Sequence, residues 1–304
     1  MEWSKIYSTI IAGLLISLTL LSGVSWYNNY KIKDNFQTSP GEWKFYYLQS
    51  SEFDRLVVEI DWIKAEKANA SAVTLLSLRA GKYLDKPDGI NIVFSNEIQQ
   101  SETKFSYNTS EVERIETEHR DFKPDPVNNE ISMYILYLNG WYRDGKGKLM
   151  KEVLGMSYHA SSISVFRDTI WNGEPDEQAW IKEAAVLVHE MGHLLGLVNI
   201  GYTSATDHEH YTLLKQNDTF IREYDNHCND TQCAMYPNIE RQSNGTYFTD
   251  FCENCSKDLA ALKNTFNGRL FMAVISWGLM IVGIIVTIVF IISTVLKKRK
   301  VNEK

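Results

Sequence analysis

Hydrophobic residues recur at regular intervals through the middle of the chain, and the period of this pattern changes from segment to segment. Apolar residues three or four apart predict helices at 67–84, 110–119 and 176–195. Alternating or continuous apolar runs predict strands at 43–48, 56–63, 90–94, 131–138 and 161–166. Because strands and helices follow one another in turn, the pattern predicts an α/β fold with a partly parallel sheet covered by helices.

The two ends of the chain carry long apolar runs that predict membrane-spanning helices. The runs cover 6–24 and 270–296, and a helix needs roughly 20 apolar residues to cross the core of a bilayer. We therefore expect the protein at the cell membrane, with the lipid bilayer as a partner. A basic cluster follows the second run at once, which is typical of the cytoplasmic side: Lys297, Lys298, Arg299 and Lys300.

The same pattern predicts four regions along the chain. Residues 1–27 are expected to form a signal anchor or a cleaved signal peptide, and 28–268 an extracytoplasmic domain. Residues 269–296 are expected to form a transmembrane helix, and 297–304 a basic cytoplasmic tail.

Composition and short motifs agree with an exported domain. The formal charge of −7 argues against a nucleic-acid partner, since a nucleic-acid-binding protein would carry a basic face. Nothing in the composition predicts the oligomeric state. Asn-x-Ser/Thr sites are acceptors for N-glycosylation and predict a glycoprotein; they stand at Asn69, Asn108, Asn217, Asn229, Asn244 and Asn254.

The predicted helix at 176–195 contains a motif with the chemistry of a metal site. His189, Glu190 and His193 form the pattern H-E-x-x-H, and Gly196 follows where the helix would end. Two histidines four residues apart lie on one helix face and can bind one zinc ion. A glutamate beside them can accept the proton of a water that attacks a carbonyl. The alternative is that both histidines are core side chains of an apolar helix.

The sequence beyond this helix extends the motif. Cys228 follows His227, Met235 stands two residues after Cys233, and the pair Cys252 and Cys255 closes the segment. Together with H-E-x-x-H-x-x-G, this order resembles the archaemetzincin pattern among the metzincin zinc peptidases.

The resemblance implies a metzincin-like catalytic domain of the α/β (α+β) class, with a twisted mixed sheet and an active-site helix. We expect terminal transmembrane helices to flank this domain. The resemblance also implies that Met235 is the methionine of the turn beneath the metal, although an ordinary buried methionine is the alternative.

The third metal ligand has several candidates. Most metzincins place it three residues after the glycine, but Asn199 stands there in this chain. The resemblance favours His227, which follows a long insertion that begins after Leu197. His208, inside the insertion, is the main alternative, and His210 and Asn199 are the others.

The four cysteines of the chain fall in one short segment: Cys228, Cys233, Cys252 and Cys255. In archaemetzincins such cysteines hold a second, structural zinc ion, and four thiolates suit the tetrahedral geometry of zinc. Disulfide bonds are the alternative for an exported domain. Sequence does not select among the three possible pairings.

These features predict a membrane-anchored zinc metalloendopeptidase that acts on a peptide or protein substrate. Glu190 would be the general base, and Tyr236 is a candidate to donate its phenol to the oxyanion. Residues 161–166 are expected to form the edge strand on which an extended peptide binds. The alternatives are a non-catalytic, zinc-stabilised surface protein for binding or adhesion, and a hydrolase of non-peptide amides.

Overall fold

The computed structural model describes most of the middle of the chain and little of its ends. The described residues are 20, 23, 37–63, 67–99, 102–171, 173, 175–200, 203–216, 219–239, 246–265, 275, 277–286, 288–289 and 292. The chain divides into two units, one made of Phe36–Thr265 and the other of the terminal segments Met1–Asn35 and Phe266–Lys304.

The predicted transmembrane helices are not present among the residues that the structure describes. No helix there is long and apolar enough to cross a bilayer. This finding contradicts the flanking transmembrane helices, the cell-membrane localisation and the bilayer partner. Most of 6–24 and part of 270–296 lie outside the described residues.

Six helices and ten strands make up the described part of the first unit. The helices are α1 (Lys44–Leu48), α2 (Ala70–Tyr83), α3 (Thr109–His119), α4 (Arg167–Trp171), α5 (Asp176–Leu194) and α6 (Glu253–Asn264). The strands are β1 (Arg55–Ile63), β2 (Ile90–Ile98), β3 (Ser106–Tyr107), β4 (Glu130–Leu138), β5 (Trp141–Arg143), β6 (Leu149–Met150), β7 (Gly155–His159), β8 (Ser162–Phe166), β9 (Glu209–Gln216) and β10 (Thr219–Cys228).

The predicted mixed sheet is confirmed. Five strands lie in the order β2-β1-β4-β8-β7; the first four are parallel, and β7 is antiparallel to β8. Side chains of β4 alternate between two cores: Met133 and Ile135 pack towards α2 and α5, whereas Tyr134 and Leu136 pack towards α3. Burial on both faces explains why the central strands are almost continuously apolar.

The edge of this sheet is not the strand that the sequence suggested. The strand predicted at 161–166 exists as β8, but it lies between β4 and β7 and is buried along its whole length. The edge on this side is β7, whose residues are mostly half-buried, and β2 is the opposite edge. Alternation in the sequence identified a strand but not its neighbours, because pairing depends on the whole topology.

The predicted strand at 43–48 was wrong, because Lys44–Leu48 forms the short helix α1. Tyr46, Tyr47 and Leu48 are all buried in the core. A short apolar run buried on every side has no periodicity that separates a helix from a strand.

The longer helices were predicted correctly and have recognisable start signals. Asn69 caps α2 by accepting a hydrogen bond from the backbone N–H of Ser71. Asn108 and Glu111 form a capping box at the start of α3. Two of the predicted glycosylation sites therefore carry side chains that cap helices.

The insertion after α5 forms the antiparallel hairpin of β9 and β10, a sheet of two strands. Its pairing is regular as far as Tyr224 and then shifts before Cys228. The irregular stretch lies between Tyr224 and Cys228, so it includes His227 at the base of the hairpin.

Candidate metal centre

Helix α5 places the H-E-x-x-H residues in the interior of the domain. His189 and Glu190 are buried, and His193 is half-buried one turn further along. The helix then ends in a left-handed turn at Gly196 (φ +76°), where the backbone N–H of Leu197 bonds the carbonyl of Gly192. The glycine at this position removes the steric cost of the left-handed conformation.

Three histidines converge on one point. The Nε2 atoms of His189 and His193 are 3.2 Å apart, and His227 at the end of β10 supplies a third ring nitrogen. One nitrogen from each residue lies within 4.8 Å of the other two. Tetrahedral zinc with Zn–N bonds of about 2.0 Å separates its ligand atoms by about 3.3 Å. The geometry of the first pair therefore fits a zinc ion.

Hydrogen bonding and burial prepare these rings as ligands. His189 donates its Nδ1–H to the carbonyl of Ala234 across 2.7 Å, which leaves the lone pair of Nε2 facing the other histidines. Burial lowers the pKa of His189 and of His227, and lowers that of His193 strongly. The neutral imidazole is the form that binds a metal.

Glu190 is held against the edge strand. Its Oε2 accepts a hydrogen bond of 2.8 Å from Ser157 Oγ, and Oε1 lies beside Gly155 on the same strand. A Cβ at Gly155 would stand 2.6 Å from Val186 Cγ1, so only glycine allows β7 to pack this closely on α5. Burial raises the pKa of Glu190 to about 7, which suits a group that exchanges protons near neutral pH.

Met235 lies beneath the metal-binding helix. It is fully buried, and its Sδ would stand 2.1 Å from a Cβ built on Gly192. The glycine inside the motif therefore makes room for the methionine. The role that the resemblance implied for Met235, the methionine of a turn beneath the metal, stays a prediction.

The other candidate ligands lie elsewhere. His208 is buried beside the cysteines, with Nε2 3.3 Å from Cys255 Sγ. His210 bonds Asp225 Oδ2 at 2.8 Å, and its ring contacts that of Tyr236. Asn199 is in the left-handed region (φ +64°) and donates to Glu209. Among the candidates weighed from the sequence, His227 is the one that the structure brings to the pair on α5.

The four cysteines form a second cluster. Their sulfurs lie within 4.8 Å of one another, with Cys228 and Cys252 at 3.6 Å and Cys233 and Cys255 at 3.7 Å. Zinc–thiolate bonds of about 2.3 Å place tetrahedral sulfurs about 3.8 Å apart, whereas a disulfide requires about 2.05 Å. All four cysteines are free in the structure, and their spacing fits a zinc ion.

A cleft of about 650 Å³ opens above the histidines. Residues 152–157 form one wall of the cleft, and the last three of them belong to β7. Residues 237–239, which follow Met235 in the chain, form another wall. Ser157 and the β7 edge were missed from the sequence, because no motif marks either of them. The hydrogen bond between Ser157 and the buried Glu190 forms only when β7 packs against α5.

The described domain therefore combines a mixed α/β sheet with a three-histidine and a four-cysteine cluster. These are the two ligand sets of the archaemetzincin pattern, and the resemblance predicted from the sequence is confirmed in this respect.

No protein-family model and no curated protein matches the chain. Among solved structures it is similar to archaemetzincin from Methanopyrus kandleri, with a TM-score of 0.45 and 12% sequence identity over 70% of this chain and 97% of that chain. It is also similar to a zinc-dependent peptidase from Methanocorpusculum labreanum, with a TM-score of 0.38 and 15% identity over 66% and 99% of the two chains. The ligand clusters of this chain, rather than these overall likenesses, define its chemistry.

Proposed function

We propose that the chain is a zinc-dependent metallopeptidase of the metzincin type. His189, His193 and His227 hold the catalytic ion, and Glu190 moves protons during hydrolysis. One observation carries this proposal: three histidine nitrogens within 4.8 Å of one another stand beside a buried glutamate at the floor of an open cleft. A site that only stabilises the fold has no use for a buried carboxyl group next to its ligands.

His189, His193 and His227 would hold the zinc ion, which when bound would supply a Lewis acid for polarising a peptide carbonyl and activating water. Glu190 then serves as the base. Because Ser157 occupies Oε2, the Oε1 atom remains to accept the proton of the attacking water. The same carboxyl group afterwards gives this proton to the leaving amine.

The substrate is proposed to be a peptide or protein in extended conformation. The edge strand β7 forms one wall of the cleft and pairs on one side only, with β8. An extended peptide can add to such an edge through main-chain hydrogen bonds. The scissile bond would then pass between Gly155 and the histidines.

A second, structural zinc is proposed at the four cysteines. Cys228 directly follows His227, and Cys233 directly precedes Ala234, whose carbonyl orients His189. An ion at the cysteines would therefore hold two supports of the catalytic site in place. We assign both ions to the domain predicted at 28–268.

The test is peptide cleavage by the purified full-length chain loaded with zinc. Glu190→Gln should lower kcat by roughly 10²- to 10⁴-fold while zinc stays bound, because only the proton carrier is lost. Glu177→Gln is the matched control, since Glu177 is an exposed carboxylate on the same helix.

Two results would contradict the proposal. If Glu190→Gln cleaves a peptide library at the wild-type rate, Glu190 is not the base. If wild-type protein binds zinc but cleaves no peptide, the non-catalytic binding protein becomes the better description.

A further inference from the structure

We propose that the hairpin of β9 and β10 is a positioning device, in which Glu209 and Asp225 hold His227 in the metal centre. This inference rests on the proposed zinc site. It assigns a role to the insertion, which carries the third ligand into the site from far along the chain. Both carboxylates act through His227 and are therefore positioning residues, and Asp225 also lines the cleft beside that histidine.

The hairpin needs such support because His227 follows an irregular stretch of β10. Regular antiparallel pairing ends at Tyr224, and Asn226 adopts a left-handed conformation with φ +58°. A bulge of this kind redirects the side chains that follow it, since a shift of one residue turns a strand over. The bulge therefore decides whether the ring of His227 faces the metal.

Glu209 fixes the backbone at this bulge. The residue is buried, and its Oε1 accepts the backbone N–H of Asn226 at 3.2 Å. Its other oxygen accepts a hydrogen bond from the side chain of Asn199. Asn199 stands three residues after Gly196, where most metzincins have a ligand. In this chain Asn199 occupies that position and helps to hold His227, the ligand at the end of the hairpin.

Asp225 lies directly behind the ring of His227. Its Oδ1 lies 3.5 Å from Nδ1 of His227, and its Oδ2 lies 2.8 Å from Nδ1 of His210 on the opposite strand. Oδ1 of Asp225 and Nδ1 of His227 are both buried and have no hydrogen-bond partner among the described residues, so they face each other at ion-pair distance rather than across a hydrogen bond. A carboxylate behind a metal-binding histidine sets the direction of the ring and the nitrogen that carries the proton.

His210 completes the arrangement from the other strand. It anchors Asp225 across the hairpin, and its ring packs against Tyr236, which follows Met235. The hairpin therefore contacts two segments of the domain. His210 packs on Tyr236 next to Met235, and Glu209 bonds Asn199 just beyond α5. Both anchors restrict the freedom of His227 before any ion binds.

The experiment measures the zinc affinity of the full-length chain by competition between Zn²⁺ and a calibrated chelator. A His193→Ala variant lacks one ligand of the histidine site, so the zinc affinity measured for it is that of the cysteine site. Comparison with the wild type then gives the affinity of the histidine site. We expect Asp225→Asn and Glu209→Gln each to weaken the histidine site by roughly 10- to 100-fold and to leave the cysteine site unchanged. Glu223→Gln is the matched control, because Glu223 is an exposed carboxylate on the same strand.

Affinities within twofold of wild type in both variants would overturn the inference and leave the peptidase proposal intact. Absence of zinc at the histidines of the wild-type chain would overturn both proposals. If Asp225→Asn also loses the cysteine-bound zinc, the fold has failed, and His210→Gln then decides. The His210→Gln variant removes the hydrogen bond between His210 and Asp225 but leaves Asp225 itself in place. An unchanged zinc affinity of the histidine site in this variant contradicts the inference.

Discussion

The imidazole of His189 donates a hydrogen bond from Nδ1 to the carbonyl oxygen of Ala234 across 2.7 Å. Ala234 lies between Cys233, a member of the cysteine cluster, and Met235, which supports Gly192 from below. The orientation of His189, the first of the proposed zinc ligands, therefore depends on a segment that begins at the cysteine cluster. The two clusters are mechanically linked although they share no ligand.

This link predicts that damage to the cysteine cluster reaches the histidines. Cys255→Ser should reduce bound zinc from about two ions per chain to one or fewer and lower peptide cleavage at least about tenfold. Metal analysis of the purified chain measures the first effect. After a chelator has removed the zinc, alkylation without reductant should label all four cysteine thiols. If the denatured chain shows none, the cysteines are disulfide-bonded and the prediction fails.

Gly192→Ala should destabilise the domain by about 1 to 3 kcal/mol, because the new methyl group would meet Met235 Sδ at 2.1 Å. Denaturation by urea, followed by circular dichroism, measures the free energy of unfolding. Gly81→Ala is the matched control within helix α2, where a Cβ meets nothing within 4 Å. That substitution should stabilise the protein by up to about 1 kcal/mol. Equal effects at the two sites would show that Met235 does not press on α5.

Ser157→Ala should lower kcat about tenfold without changing zinc affinity. A hydrogen bond to a charged acceptor contributes about 1.5 to 3 kcal/mol, and the expected loss corresponds to the lower end. Steady-state kinetics should show the loss in kcat rather than in KM, and Ser157→Thr should restore much of the rate. Ser110→Ala, at an exposed position, serves as the control. A change in KM alone would argue that Ser157 contacts substrate instead of supporting Glu190.

Glu59 should make the stability of the domain depend on pH. It is fully buried, and burial raises its pKa from 4.5 to about 7, although it accepts backbone N–H bonds from Asp121 and Phe122. Between these two pH values the folded chain keeps a proton that the unfolded chain has released. The free energy of unfolding should therefore fall as pH rises through this window, by roughly 3 kcal/mol at about 1.4 kcal/mol per unit.

Comparison of the wild type with Glu59→Gln isolates this contribution, since every other group titrates in both proteins. Urea denaturation at pH 4.5 and pH 7.5 should show a steeper decline for the wild type. Parallel pH profiles in the two proteins would place the pKa of Glu59 near its ordinary value.

The sequence by itself determined the parts of the site that lie within one element. His189 and His193 share a helix face because the helical period places residues four apart one above the other, and Gly196 marks the end of that helix. The central strands were readable for the same reason, since each depends on a few neighbouring residues. Apolar runs also predicted transmembrane helices, and no helix among the residues that the structure describes is long and apolar enough to be one.

Only the tertiary structure decided the rest. It brought His227 to the pair on α5 and left His208 beside Cys255, because His227 follows the bulge at Asn226 and His208 does not. It made β7 the edge strand and brought Ser157 to Glu190, because strand order depends on pairing across the whole sheet. Contacts between distant segments leave no local period in a sequence, so they become visible only when the chain is folded.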